Sequence, residues 1–326
     1  MKPICKKAHV RGCGPLSFIK ALELFCGIGG FAAAAAGSNI RVVGAIDQSL
    51  VALGVYQINF PSHRVRSINL QGVTGKLLTA HHADFWWMSP PCQPYSIRGK
   101  QKGLADPRAA SFIRILKILS ALPEEDLPFH LGFENVTGFA DSEARSRLVD
   151  LLARKGYQIQ ECLLCPTQLE IPLRRPRYYL VASRNGLRPV PTFESRPMVP
   201  LQDFLDSDKS GGFSSELLLP TEVVARFGAG LHILDGSSPS GCATCFTSGY
   251  GRSYMHAGSY LRFGKAVRHF SPLEIARLLH LPSGFRFPEG MPLRKQWQLV
   301  GNSLSVAAVR ALLKAFPGVL PPANER

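Results

Sequence analysis

Apolar runs of strand length recur through the first half of this chain, and four of them end on a group with chemistry of its own. Phe18 to Phe25 runs into the glycine cluster Cys26-Gly27-Ile28-Gly29-Gly30, and Arg41 to Asp47 ends on a carboxylate. Ala83 to Ser89 ends at Pro90-Pro91-Cys92, and His130 to Asn135 carries Glu134 at its end. Helical stretches separate them: Phe31 to Ala36 stopped by Gly37, Gln48 to Phe60 stopped by Pro61, Pro107 to Leu119 with Asp106 as N-cap, and Ser142 to Lys155 stopped by Gly156. Arg64 to Leu70, Tyr157 to Cys165 and Arg177 to Ser183 read as further strands. Such alternation predicts an open α/β sheet, largely parallel. Ligands bind such sheets at the C-terminal ends of the strands. Gly27, Asp47, Cys92 and Glu134 are therefore expected to converge on one edge.

From 186 to 264 the pattern changes: Pro, Gly and Ser become frequent and periodicity weakens, which suggests a small inserted module. Helical patterning returns in Ser271 to Leu281 and again from Lys295 to Phe316. The expected layout is a main domain over 1–185, the module over 186–264 and completion of the main domain over 265–326. No internal repeat is evident. With 326 residues, 45% of them hydrophobic, the chain can bury a substantial core. It has no apolar run long enough for a transmembrane helix, and no apolar segment follows the basic stretch Met1 to Pro15 as a secretion signal would require. A cytoplasmic, monomeric protein with no membrane partner is expected.

Lys and Arg number 38 against 23 Asp and Glu, a net charge of +15. A polyanion partner accounts for that excess, because basic side chains displace counterions from phosphates; plain solubility is the alternative. The eight cysteines are Cys5, Cys13, Cys26, Cys92, Cys162, Cys165, Cys242 and Cys245. In a chain of this length without an export signal, reduced thiols are the expectation. Cys162/Cys165 and Cys242/Cys245 have the spacing of zinc ligands, but the pairs lie far apart. The first pair also reads as part of a strand, where residues three apart face opposite sides. No metal is expected.

The glycine cluster opens a helix directly after a strand, which lets the backbone approach a ligand and favours an anionic group at the helix start. Asp47, at the end of the next strand, is placed to accept ribose hydroxyls. The pattern lacks the full dinucleotide fingerprint and suits a nucleoside cofactor without a pyrophosphate; a ligand-free turn is the alternative. At Cys92 two prolines stiffen the backbone ahead of the thiol. That fits a fixed nucleophile, activated by the nearby Arg98, Lys100 and Lys102; a buried structural cysteine is the alternative. Glu134 is expected to be partly buried, with a raised pKa suited to acid catalysis, or else a salt-bridge partner or helix cap. Arg175 and Arg177, two apart before a strand, would share one face, either in a site or on a solvated edge.

Taken in order, FCGIGG, Asp47, SPPCQP, ENV, RRPR and GNSL resemble the motifs of the cytosine-C5 methyltransferase family over nearly the whole chain. The resemblance implies a Rossmann-like S-adenosylmethionine-dependent sheet with an inserted target-recognition module. It implies that Cys92 adds to C6 of cytosine, Glu134 protonates N3, and Arg177 contacts the base near O2 with support from Arg175. C5 then takes the methyl group and loses its proton as Cys92 leaves, and the base must leave its stack to react. For S-adenosylmethionine the resemblance implies Phe25, Gly27, Ile28, Gly29 and Gly30 around the methionine part, Asp47 at the ribose, and Ile68 and Asn69 at the adenine. Ser89, Asn302 and Ser303 would close the pocket. Asn69 departs from the acid common in the family.

The segment CFTSGYGRSYMHAGSYL is similar to the Cys-Phe-Thr signature of the tRNA-methylating subfamily called DNA methyltransferase homologue 2. LLCPTQLEIPLRRPRYYLVA and RHFSPLEIARLLHLPSGFRFPE resemble it too. This implies a tRNA anticodon stem-loop as partner, with cytosine 38 of tRNA-Asp or a similar tRNA as target. Arg98, Lys100, Cys245, Phe246 and Thr247 become candidate substrate contacts. A short module suits a loop whose bases are already partly unstacked. The loop after PPCQP, Tyr95-Ser96-Ile97-Arg98, departs from the subfamily. DNA is the alternative substrate, an inactive nucleic-acid-binding relative the alternative class, and a NAD-linked oxidoreductase leaves PPCQP and ENV unexplained.

Overall fold

The computed structural model describes residues 18–95, 103–193, 196–206 and 214–319. Its strands are β1 (Ile19–Leu24), β2 (Ile40–Asp47), β3 (Val65–Ser67), β4 (Phe85–Met88), β5 (His130–Val136), β6 (Gln158–Leu164), β7 (Leu173–Arg174), β8 (Arg177–Ser183), β9 (His232–Asp235), β10 (Ala243–Thr244), β11 (Ser259–Phe263) and β12 (Ala266–His269). Its helices are α1 (Gly30–Ala35), α2 (Leu50–Asn59), α3 (Gly75–Thr79), α4 (Ala110–Ala121), α5 (Glu143–Arg154), α6 (Thr221–Phe227), α7 (Pro272–Leu278), α8 (Leu293–Gly301) and α9 (Val306–Leu313).

Seven strands form one sheet in the order β3-β2-β1-β4-β5-β8-β6. Pairing is parallel from β3 through β5, and β8 runs antiparallel to both β5 and β6. The winding reverses between β1 and β4, and a ligand crevice opens at such a switch point. The glycine cluster ends β1 and the Pro-Pro-Cys turn follows β4, so these two motifs flank the switch point.

Strands buried on both faces need apolar residues throughout, and the sheet separates two apolar clusters. On one face Leu22, Trp86, Met88 and Phe133 pack against Phe112 and Ile115 of α4 and Leu148 of α5. On the other, Ala21, Phe85 and Trp87 pack against Phe31, Tyr56 and the C-terminal helices. Phe31 stacks on Trp87 with ring centroids 5.2 Å apart. Serine hydroxyls cap the helices where the sequence suggests: Ser49 accepts from Ala52 N, Ser142 from Arg145 N, and Ser271 forms a capping box with Glu274.

The segment after β8 covers the exposed edge of the sheet. Leu187 N and Val190 N donate to the side chains of Gln158 and Gln160, each at 2.8 Å, which anchors the segment to the edge strand β6. It then builds a second sheet, β9-β11-β12. Leu201, Phe246 and Tyr250 from this region belong to the same apolar cluster as the sheet face. The β11–β12 hairpin runs past residue 264 to His269. There Arg268, 1% exposed, pairs with the fully buried Glu274 of α7 at 2.7 Å. Ordered desolvated charges of this kind are costly to break, at about 3–5 kcal/mol.

Two local readings change. The helical pattern from Lys295 onward is broken at Asn302–Ser305, because Asn302 ends α8 and Ser305 caps α9 by accepting from Ala308 N. Cys165 lies just beyond β6, so the Cys162/Cys165 pair does not share one strand. Among the described residues the six cysteines are unbridged, and no group of three or more His, Cys, Asp or Glu is placed to hold a metal ion. No helix among them is long and apolar enough to cross a membrane.

Candidate active site

A cavity of about 420 Å³ opens at the switch point. That is within the roughly 300–1,000 Å³ typical of small-molecule sites. Its lining joins the ends of β1, β2, β4, β5 and β8 to the turn between α8 and α9.

The β1 end is a strained turn. Phe25 takes φ +57°, and the bend turns the following backbone into the cavity. Gly27 N donates to Asp47 Oδ2 at 3.0 Å and Ser49 N to Asp47 Oδ1 at 2.8 Å, so the carboxylate is held rigidly at the rim. Beneath the turn lies Glu23, 2% exposed. It accepts from Phe31 N at 3.1 Å and from the Tyr56 hydroxyl at 3.0 Å. Burial pushes its pKa up to about 8, against the lowering effect of these bonds. The Phe31 N–H at the start of α1 is thus taken by Glu23 rather than left for an anionic ligand.

The opposite wall carries the reactive groups. Pro90 O accepts from the Asn135 side chain at 3.1 Å, which fixes the Pro-Pro-Cys turn to the end of β5. Glu134 and Arg177 follow from strand register. Glu134 lies opposite Tyr179, and Arg177 is two residues from Tyr179 on the same strand, so Glu134, Tyr179 and Arg177 share one face. Arg177 Nε comes within 3.4 Å of Glu134 Oε1. Burial raises the Glu134 pKa, opposed by Arg177, Arg175 and the Ser89 hydroxyl. Burial also raises the Cys92 thiol, with Glu134 adding to the rise and Arg177 and Arg175 opposing it. The expected depression of Cys92 is therefore not found among these neighbours. Arg98, Lys100 and Lys102 lie outside the described residues.

Arg175 is not on a strand; it falls between β7 and β8 and is 4% exposed. Its guanidinium donates to Phe246 O at 2.9 Å, Gly301 O at 3.2 Å and Ser303 O, tying three segments to the cavity wall. At Gly301 a Cβ would stand 2.5 Å from the Thr247 carbonyl, so only glycine lets the Cys-Phe-Thr segment meet the Gly-Asn-Ser turn this closely.

Phe25, Gly27, Ile28, Gly30, Asp47, Ile68, Ser89, Cys92, Glu134, Arg175, Arg177, Asn302 and Ser303 all line the cavity. Gly29 does not. Its φ of +91° and the Phe60 ring, 2.5 Å from a hypothetical Cβ, give it a packing role instead. Asn69 is also absent from the lining; its Oδ1 accepts from Gln71 N at 3.0 Å in a local turn, and Leu70 lines the wall instead. Ser89 bonds to the Trp87 indole at 3.0 Å and to Glu134, so it steadies the acid as well as lining the pocket. Cys245 stands behind the arginines and the Thr247 backbone lies against Gly301; neither lines the cavity. The Phe246 ring, 2% exposed, is core, packed edge-on against Tyr250 and Phe270; a base contact by that ring is not supported. Sequence reasoning passed over Glu23, a lone acid in an apolar strand, and Arg108, Lys295 and Gln298 at the cavity. Arg108 had a signal in its spacing from Asp106, whose carboxylate it grips at 2.9 and 2.7 Å.

The model of the C-5 cytosine-specific DNA methylase family matches residues 19–212. The chain belongs to this family. It is 30% identical to the human tRNA (cytosine(38)-C(5))-methyltransferase over 91% of this chain and 98% of that protein. It is 26% identical to a Dictyostelium discoideum DNA (cytosine-5)-methyltransferase over 91% of this chain and 94% of that one. The crystal structure of the S. pombe Dnmt2 methyltransferase superposes with a TM-score of 0.79 at 27% identity, covering 91% of this chain and 97% of that one. The mostly parallel sheet is thus that of a C5 cytosine methyltransferase. The residues that line the cavity suit a nucleoside cofactor: a fixed carboxylate at the rim, apolar Ile68 and Leu70 beside it, and the buried Ser303 hydroxyl without a partner among the described residues.

Proposed function

We propose that this protein methylates C5 of a cytosine in a tRNA anticodon loop, position 38 of tRNA-Asp or a similar tRNA, with S-adenosylmethionine as donor. The observation that carries the chemistry is the wall on which Cys92, Glu134 and Arg177 face one cavity. The tRNA reading is supported by full-length similarity to a tRNA (cytosine(38)-C(5))-methyltransferase and by the Cys-Phe-Thr segment packed behind the arginine pair. The net charge of +15 suits a polyanion.

Bound in this cavity, S-adenosylmethionine supplies an electrophilic methyl group, held by Asp47, Phe25, Ile28, Ile68, Asn302 and Ser303. Cys92 gives up its proton to solvent and its sulfur bonds to C6 of the flipped cytosine. Glu134, whose pKa burial raises, donates its proton to N3 and takes up the charge that C6 addition pushes into the ring. Arg177 stands beside Glu134 to donate to the base carbonyl at C2. C5 thereby becomes nucleophilic. After methyl transfer solvent takes the C5 proton, the C6–sulfur bond breaks, N3 returns its proton to Glu134 and Cys92 leaves as the thiolate. The region 186–264 serves as the recognition module.

The test is methyl transfer from labelled S-adenosylmethionine to total tRNA and to duplex DNA in parallel, with Cys92→Ala as control. Label in tRNA alone, lost in the variant, is expected. Label mainly in DNA replaces the substrate and leaves the wall chemistry standing.

A further inference from the structure

The reaction just described uses one thiol, yet a second sits against the same arginines. Arg175 Nη1 donates to Cys245 Sγ at 3.2 Å and Arg177 Nη2 approaches it at 3.6 Å. Glu134 reaches Arg177 from the other end of the guanidinium, through Nε at 3.4 Å. Arg177 is therefore shared between a carboxylate and a sulfur.

Charge balance gives the sulfur a role. Both guanidinium groups are largely out of solvent, with Arg175 4% exposed and the Arg177 side chain at 13%. Neither can lose its proton. Buried cations require anions, and among the described residues the one carboxylate ion-paired with either arginine is Glu134. That acid is the group asked to carry a proton. The charged groups that act on the sulfur are Arg175 and Arg177; Glu134 and Tyr179 act in turn on Arg177, and Arg177, Glu134 and Arg175 act on Cys92.

We propose that Cys245 is a positioning residue, the second anion of the site, which holds the arginine pair from the side away from Glu134 and so limits how strongly Arg177 draws on the acid. The inference rests on the methyltransferase reading for its consequence in turnover and on the two guanidinium contacts to Cys245 for the sulfur's charge. Burial opposes ionisation of Cys245, but Arg175 and Arg177 outweigh it and its pKa falls below the ordinary thiol value. The two thiols flanking the pair are thus shifted in opposite directions. Without Cys245, Arg177 turns wholly to Glu134 and strips its proton at lower pH.

Two measurements decide this. The first needs no substrate: iodoacetamide labelling of the intact protein against pH, read peptide by peptide by mass spectrometry. Cys245 should reach half-maximal rate below the ordinary thiol value of about 8.5 and Cys92 above it. The second is the pH profile of methyl transfer in Cys245→Ala, Cys245→Ser and Cys245→Asp, on whichever nucleic acid the wild type labels. In the Ala and Ser variants the ratio of rates at pH 8 and pH 6 should fall, by up to about sixfold for a titration moved down by about one unit through that range. Asp, a fixed anion, should restore the wild-type ratio, which a merely structural loss would not do; thermal melts confirm folding of each variant. A Cys245 that titrates at or above 8.5, or three variants with the same profile, overturns the proposal. If no nucleic acid is labelled the methyltransferase reading fails, and the labelling curve alone decides the sulfur's charge.

Discussion

Single side chains in this protein are set by a contest between burial and charge. Burial wins at Glu134, where it lifts a carboxyl towards the range useful for proton donation despite two guanidinium groups. Replacing Glu134 with Gln is expected to lower methyl transfer by about 10²–10⁴-fold, the usual worth of a positioned acid, while leaving S-adenosylmethionine affinity near wild type. Equilibrium dialysis and single-turnover rates separate the two. Glu23 makes a different prediction. Its pKa is raised from 4.5 to about 8, so the folded protein holds this proton more tightly than the unfolded chain. The stability it contributes is whole below about pH 4.5 and is lost as pH climbs through about 8. Thermal melts of Glu23→Gln should therefore show a flatter dependence between pH 5 and 8 than wild type; parallel curves would remove Glu23 as the source.

Elements place these side chains through register and close approach. The α8–α9 turn reaches the cavity because Gly301 lets the Thr247 backbone pass at contact distance. Gly301→Ala meets backbone that cannot yield, so a loss of about 1–3 kcal/mol is expected by chemical denaturation, with weaker cofactor binding as the turn shifts. Most strands were legible in the sequence because strand-length apolar runs ended at glycine, proline or a polar group, as at Asp47 and Cys92. The break at Asn302–Ser305 was not, since Lys295 to Phe316 keeps helical periodicity and local capping overrides it. Nor was the position of Arg175, which depends on carbonyl groups from residues 246, 301 and 303 that no local pattern connects to it.

At the scale of the whole molecule, the convergence of Gly27, Asp47, Cys92 and Glu134 was readable because a parallel sheet gathers strand ends on one edge. What each group does there was less readable. Phe246 and Gly29 serve packing, and their motif positions alone could not tell that from ligand contact. The charge of +15 predicts a steep salt response. Binding to a tRNA anticodon stem-loop should weaken by at least about tenfold between 50 and 200 mM salt, as counterion release requires of several phosphate contacts. A flat response in fluorescence anisotropy would contradict an electrostatic footprint.

The central claim is that Cys92 is the residue that bonds to the base. A tRNA carrying 5-fluorocytidine tests it directly, because fluorine at C5 cannot leave as a proton does and the covalent adduct persists. Incubated with S-adenosylmethionine and digested, the complex should yield a nucleotide-modified peptide containing Cys92, absent in Cys92→Ala. An adduct on Cys245, or methyl transfer with no adduct at Cys92, would contradict the account.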